Sequence, residues 1–132
     1  MQRIADTGLL KALLDSSDIY HSWAHRQFQI HSPFHTCEAV LDELAHITGD
    51  ARLGMKLLAR GDIIVEFAIR ENVGRVLELL EKYSDRPMDF ADACVVRMSE
   101  LTPACRVWTV DREDFKVYRR HGRQPVPCVF PE

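Results

Sequence analysis

The sequence predicts an α/β fold, a three-layer sandwich of helices around a central, mainly parallel sheet. Two observations carry that prediction. Short segments rich in β-branched and aromatic residues alternate with longer ones whose apolar residues recur every three to four positions, the pattern of strands joined by crossover helices. The chain also has 132 residues, 46% of them hydrophobic, enough for one compact core without disulfide staples. Residues 1–132 are accordingly expected to form a single domain.

The first predicted strand is Gln2–Ala5, ended by Asp6-Thr7-Gly8. Leu9, Leu10, Leu13 and Leu14 then recur at helical spacing. Asp15-Ser16-Ser17-Asp18 reads as a turn that caps a second helix through Trp23 and Phe28, and His31-Ser32-Pro33 ends it. Phe34–Thr36 reads as a short extended segment and Glu38–Ile47 as a third helix. Gly49-Asp50 breaks that helix; Arg52–Arg60 is a short helix, and Ile63–Phe67 has strand composition. Glu71–Tyr83 is predicted as an amphipathic helix with Val73, Val76, Leu77, Leu80 and Tyr83 on its apolar face. Met88–Leu101 is an unusually apolar helix, Arg106–Val110 a strand, and Val126–Phe130 a last one.

Composition excludes several classes. The formal net charge is −3, from 17 Lys and Arg against 20 Asp and Glu, which argues against a general nucleic-acid coat. No apolar run approaches the ~20 residues that span a bilayer, and Met1–Asp6 lacks the apolar stretch of a signal peptide. Cys37, Cys94, Cys105 and Cys128 form no C-x-x-C pair, and Cys94 sits in an apolar helical pattern. A free buried thiol suits a reducing compartment, so a cytoplasmic location is expected. His21 and His25 have the four-residue spacing of a zinc pair, but they lie beside an apolar stripe of Tyr20, Trp23, Ala24 and Phe28, and packing explains them better. No Gly-rich phosphate loop and no G-x-S-x-G occurs.

The chemistry-bearing signal is the placement of carboxylates. Asp6 follows the first strand and opens a helix, at the strand end where open α/β sheets place ligands; a plain N-cap uses the same residue. Glu43 falls on the rim of the apolar face set by Val40, Leu41, Leu44 and Ile47, where an unpaired charge is costly; a boundary salt bridge would also serve. Asp92 lies in Phe90–Val96, apolar nearly all round, and faces a crevice in this reading; a buried acid tied to an arginine or a backbone amide is the alternative. Asp89, three residues earlier, either shares that side or caps the helix. Asp111 follows the strand ending at Val110, and Asp114 competes with it; both also read as turn acids. Gathered carboxylates raise one another's pKa, and a divalent cation removes that penalty. An all-oxygen set suits Mg²⁺ or Mn²⁺ better than zinc.

Four segments carry a resemblance: Ile4-Ala5-Asp6-Thr7-Gly8-Leu9-Leu10, Thr36-Cys37-Glu38-Ala39-Val40-Leu41-Asp42-Glu43-Leu44, Met88-Asp89-Phe90-Ala91-Asp92-Ala93 and Thr109-Val110-Asp111-Arg112-Glu113-Asp114-Phe115. In order and over nearly the whole chain, they resemble the successive motifs of PIN domains, above all the VapC-like ribonuclease toxins of type II toxin–antitoxin pairs. The resemblance implies an Mg²⁺- or Mn²⁺-dependent endoribonuclease (a hydrolase), with Asp6, Glu43, Asp92 and Asp111 as catalytic and metal-binding acids. Asp114 matches a frequent extra acid. Thr7 and Thr109 match positions whose hydroxyls orient the acids or approach phosphate. The implied partners are an RNA substrate, an antitoxin protein and a second copy of the chain. Beside the acids, Arg112–Arg123 adds Lys116, Arg119, Arg120 and Arg123, read as a phosphate-contacting patch through Arg112 and Lys116 or else as a solvated tail. The competing reading is a PIN-like protein-binding module without nuclease activity. A phosphate-accepting receiver domain fits less well, because Asp6 lacks an adjacent acid and Val110 is followed by Asp111-Arg112 rather than a lysine.

Overall fold

The computed structural model describes residues Met1–Glu132. Its strands are β1 (Gln2–Ala5), β2 (Phe34–Thr36), β3 (Ile63–Val65), β4 (Cys105–Trp108), β5 (Arg119–Arg120), β6 (Gln124–Pro125) and β7 (Cys128–Val129). Its helices are α1 (Thr7–Leu14), α2 (His21–His31), α3 (Glu38–Thr48), α4 (Arg52–Arg60), α5 (Val73–Lys82), α6 (Phe90–Leu101) and α7 (Arg112–Phe115). Five strands form one sheet in the order β3-β2-β1-β4-β7, every neighbouring pair parallel. Helices flank it, as the alternating pattern predicts, in a PIN-like α/β sandwich. No helix is long and apolar enough to cross a membrane.

The central strand explains where the chemistry sits. Ile4 and Ala5 are fully buried, and β1 registers with β4 as Ala5 opposite Trp108. The chain after β1 therefore emerges level with the chain after β4. β2 lies on the other side of β1, so connections diverge there and leave a crevice at the carboxyl edge of the sheet. Phe34 packs its ring 4.7 Å from Phe28 and 5.2 Å from Trp108, which ties α2 to the sheet. α6 lies against β1 and β4 and carries α5 on its outer side.

Several expected elements differ. The third strand stops at Val65, short of Phe67, and a 3₁₀ turn at Ile69–Glu71 follows. β4 spans Cys105–Trp108, because Thr109 and Val110 leave the sheet to turn toward α7. The last strand is only Cys128–Val129. On α5 the expected face holds at Val76, Leu80 and Tyr83, but Val73 and Leu77 are 56% and 54% exposed, and Leu79 is buried in their place. Apolar residues cover more than one stripe of this helix, and the position of α6 selects the stripe that is used. Asp18 precedes the start of α2 and accepts the Tyr20 N–H at 2.8 Å while pairing with Lys11 at 2.6 Å.

The basic segment at the C-terminal end is built into the fold. Arg119 Nη1 donates to the carbonyls of Lys116 and Tyr118, and Arg120 Nη1 donates to the Ser99 carbonyl at 2.9 Å. The β5–β6 hairpin is pinned by Glu100, which accepts the His121 N–H at 2.6 Å; His121 has a left-handed φ of 53°. The same carboxylate, 1% exposed, takes Arg75 at 2.8 Å and Arg97 at 3.2 Å.

Candidate active site

Each predicted acid arrives at the carboxyl edge of the sheet by a different local route. Asp6 occupies the N-cap position of α1, yet its side chain makes no capping bond. Its Oδ2 instead accepts the Thr109 hydroxyl at 2.7 Å, so the plain N-cap alternative does not hold. Thr109 is fully buried and also accepts the Asp111 N–H at 3.0 Å. Thr7 is buried beside Asp6, and its Oγ1 has no hydrogen-bond partner of regular geometry although it lies toward Glu43.

Asp89 and Asp92 form a capping box at the start of α6. Asp89 Oδ1 accepts the Asp92 N–H at 2.8 Å, and Asp92 Oδ2 receives the Asp89 N–H at 3.5 Å. Asp92 is 9% exposed, and its Oδ2 also accepts the Tyr118 hydroxyl at 3.0 Å. Asp89 thus does both things the sequence left open: it caps the helix and it faces the acids. Glu43 is half-buried on α3, with the Asp89 side chain against it.

The electrostatics describe a cluster of acids without counter-charge. Burial pushes the Asp6 carboxyl up to about 6, with Asp111 and Asp89 adding repulsion. Burial, then Asp89, pushes Glu43 up to about 7. Burial, then the charges of Asp6 and Asp89, pushes Asp92 up to about 8. Asp111 is raised too, first by burial and then by Asp114. No lysine, arginine or histidine forms an ion pair with any of Asp6, Glu43, Asp89, Asp92 or Asp111.

The arrangement is looser than a closed ligand cage. No three His, Cys, Asp or Glu side chains converge tightly enough to grip an ion as they stand. Glu43 lies against Asp89 and Asp111 against Asp114, and Asp111 spends its Oδ1 on the Asp114 N–H at 3.2 Å, capping α7. The donor set still fits a hard divalent cation. It is all oxygen, it lacks a neutralising base, and it includes an orphaned buried hydroxyl at Thr7.

The remaining predicted residues lie at the margin. Asp114 is paired with Arg86, which reaches over from the loop before α6. Arg112 is turned away: its Nη2 donates to the Pro131 carbonyl at 2.8 Å and its guanidinium stacks 4.6 Å from the Phe130 ring centre. The residue stays exposed, so these contacts orient its guanidinium beside the C-terminal segment. Lys116 is exposed on the turn after α7. His21 Nδ1 contacts the Ala12 carbonyl at 2.8 Å, a packing role. An open cavity of about 510 Å³ adjoins the acids, lined among others by Glu43, Asp89, Ile47 and Phe90. Sequence reasoning missed Tyr118 altogether and left Asp89 undecided; the D-x-x-D spacing of Asp89 and Asp92 was the available signal for the second.

No family model matches the chain, and no curated protein matches it. Among solved structures it is similar to VapC20 of Mycobacterium tuberculosis, described as a sarcin–ricin loop cleaving toxin. The TM-score is 0.68 over 80% of this chain and 87% of VapC20, at 19% sequence identity. The two proteins share a fold.

Proposed function

We propose that this chain, sharing the VapC20 fold, is a divalent-metal-dependent endoribonuclease of the PIN family and the toxin of a toxin–antitoxin pair. The observation that carries the reading is the set of buried, uncompensated carboxylates at the carboxyl edge of the parallel sheet, Asp6 and Asp92 above all. Carboxylates held there without a base are stable only protonated or facing a cation.

Asp6 and Asp92 are the residues to hold the cation, with Glu43 and Asp111 completing the cluster through water. Bound Mg²⁺ or Mn²⁺ would supply a polarised phosphoryl oxygen and an acidified water. Glu43, half-buried at the edge of the cluster on α3, takes the proton from the attacking water as general base. Thr109 fixes the Asp6 carboxylate, and the Thr7 hydroxyl, toward Glu43, is placed to meet a phosphate oxygen. Arg112 and Lys116, both exposed beside the Asp111 turn, are available for contact with the RNA backbone. The reading carries a cytoplasmic location, a homodimer, an antitoxin partner, and residues 1–132 acting as one domain.

The test is cleavage of an RNA set that includes the sarcin–ricin stem-loop, with Mg²⁺, Mn²⁺ or EDTA, beside Asp92→Asn. Metal-dependent cutting by wild type, reduced at least about 100-fold in the variant, is expected. A folded wild type that neither binds Mn²⁺ nor cuts any RNA would return the protein to the protein-binding reading.

A further inference from the structure

Tyr118 is fully buried, and its hydroxyl donates to Asp92 Oδ2 at 3.0 Å across 26 residues of sequence. The other donor to this carboxylate, the Asp89 N–H, meets the same oxygen at 3.5 Å. Oδ1 takes no hydrogen bond. Asp6 shows the same division, with Oδ2 held by the Thr109 hydroxyl and Oδ1 left without a side-chain donor.

We infer that Tyr118 is a positioning residue: by holding Asp92 Oδ2 it fixes the carboxylate plane and presents Oδ1 to the cation. The inference rests on the nuclease reading above. Its physical basis is the soft last torsion of an aspartate, which is broad and two-fold rather than sharply staggered. A buried donor on one oxygen removes that freedom, and partners of this kind are worth about 10–100-fold in metal affinity.

The ring is itself well fixed. It meets Tyr83 edge-on at 5.1 Å and Phe115 edge-on at 5.2 Å. The Tyr118 N–H donates to the Asp114 carbonyl at 3.1 Å, and the next N–H, of Arg119, donates to the Tyr83 hydroxyl at 2.8 Å. Tyr118 is thus anchored to the turn that begins at Asp111, and it links that turn to Asp92.

Mn²⁺ titration of the metal-free protein, followed by the paramagnetic resonance of free ion, tests this with wild type, Tyr118→Phe and Asp92→Asn. Tyr118→Phe keeps the ring and removes one oxygen, so it is expected to melt within about 5 °C of wild type. It should bind Mn²⁺ about 10-fold or more weakly and regain the wild-type cleavage rate at saturating Mn²⁺. The loss then falls on the apparent metal KM and not on kcat, a split that a merely structural tyrosine would not produce. Asp92→Asn should bind no Mn²⁺ at this site. Equal Mn²⁺ affinity in wild type and Tyr118→Phe overturns the inference and leaves the nuclease standing. Absence of Mn²⁺ binding in wild type overturns both.

Discussion

Thr109 donates its hydroxyl to Asp6 Oδ2 at 2.7 Å and accepts the Asp111 N–H at 3.0 Å through the same oxygen. One buried side chain at the end of β4 thereby joins the acid after β1 to the turn that carries a second acid. Thr109→Val keeps the shape and removes both bonds, leaving a buried carboxylate oxygen and an amide without partners. It should lose about 1–3 kcal/mol of stability in a denaturant titration, whereas Thr109→Ser should stay near wild type. Equal stability of the Val and Ser variants would remove the bond from any account of the site.

The acids make the metal-free protein sensitive to base. Asp6, Glu43 and Asp92 titrate near 6, 7 and 8 in the folded chain, above their ordinary carboxylate range. The folded state then binds more protons than the unfolded one from about pH 4 to 8, and stability falls as pH rises through that window. Asp15, Asp18, Asp50 and Glu100, held below their ordinary range, have the opposite sign and act at about pH 4 and below. His31, kept neutral by burial, favours higher pH, in the opposite sense to the three acids. In EDTA the melting temperature should be higher at pH 5 than at pH 8, and Asp92→Asn should flatten that difference. Each pKa step on folding is worth about 1.4 kcal/mol, or about 3–5 °C for a chain of this size. Adding Mn²⁺ at pH 8 should restore the loss. An unchanged pH slope in the variant would show that Asp92 does not titrate in this window.

Gly8 is the second residue of α1, directly after Thr7, and a methyl group there would run into Val110 Cγ2. Gly8→Ala should destabilise the protein by about 1–3 kcal/mol by overpacking. Val110→Ala added to it should recover most of that loss, a coupling that a double-mutant cycle on thermal melts would register. Simple additivity would mean that the contact does not limit this position.

Glu100 is the one carboxylate of α6 with a clear structural duty. Its side chain is 1% exposed, beneath Arg75 and Arg97, and it also accepts the His121 N–H. Glu100→Ala leaves Arg75 with only Glu78 and Arg97 with only Asn72, strands the His121 N–H, and should cost about 1–3 kcal/mol, read from urea unfolding. A loss below about 1 kcal/mol would show that the network is dispensable.

Those two acids of one helix, Asp92 and Glu100, show where sequence reading succeeds and where it stops. The strand–helix alternation and most helix limits were legible, because apolar periodicity and Gly or Pro breaks act locally. Asp92 was legible as an acid in an apolar helix. On α5, Val76, Leu80 and Tyr83 were legible, but the exposure of Val73 and Leu77 was not, since they are as apolar as the buried Leu79 and only the packing partner decides between them. Nor were the bonds of Arg112, Arg119 and Arg120: a cluster of cations reads as a phosphate patch until the backbone carbonyls that accept hydrogen bonds from them are in place. Tyr118 was invisible because its partner lies 26 residues away, brought near by a turn without a strong sequence signature.

The sheet order β3-β2-β1-β4-β7 also has a consequence for the timing of synthesis. The strand made first stands at the centre, and its neighbour β4 is made about a hundred residues later. On a ribosome, Asp6 waits for Thr109 to emerge before its carboxylate is held in place. A nascent chain that ends short of β4 leaves one edge of β1 unpaired and lacks both Thr109 and Asp111, so the cluster of acids is incomplete. The order of the strands therefore places the joining of the acid after β1 to the turn after β4 among the last steps of assembly during synthesis.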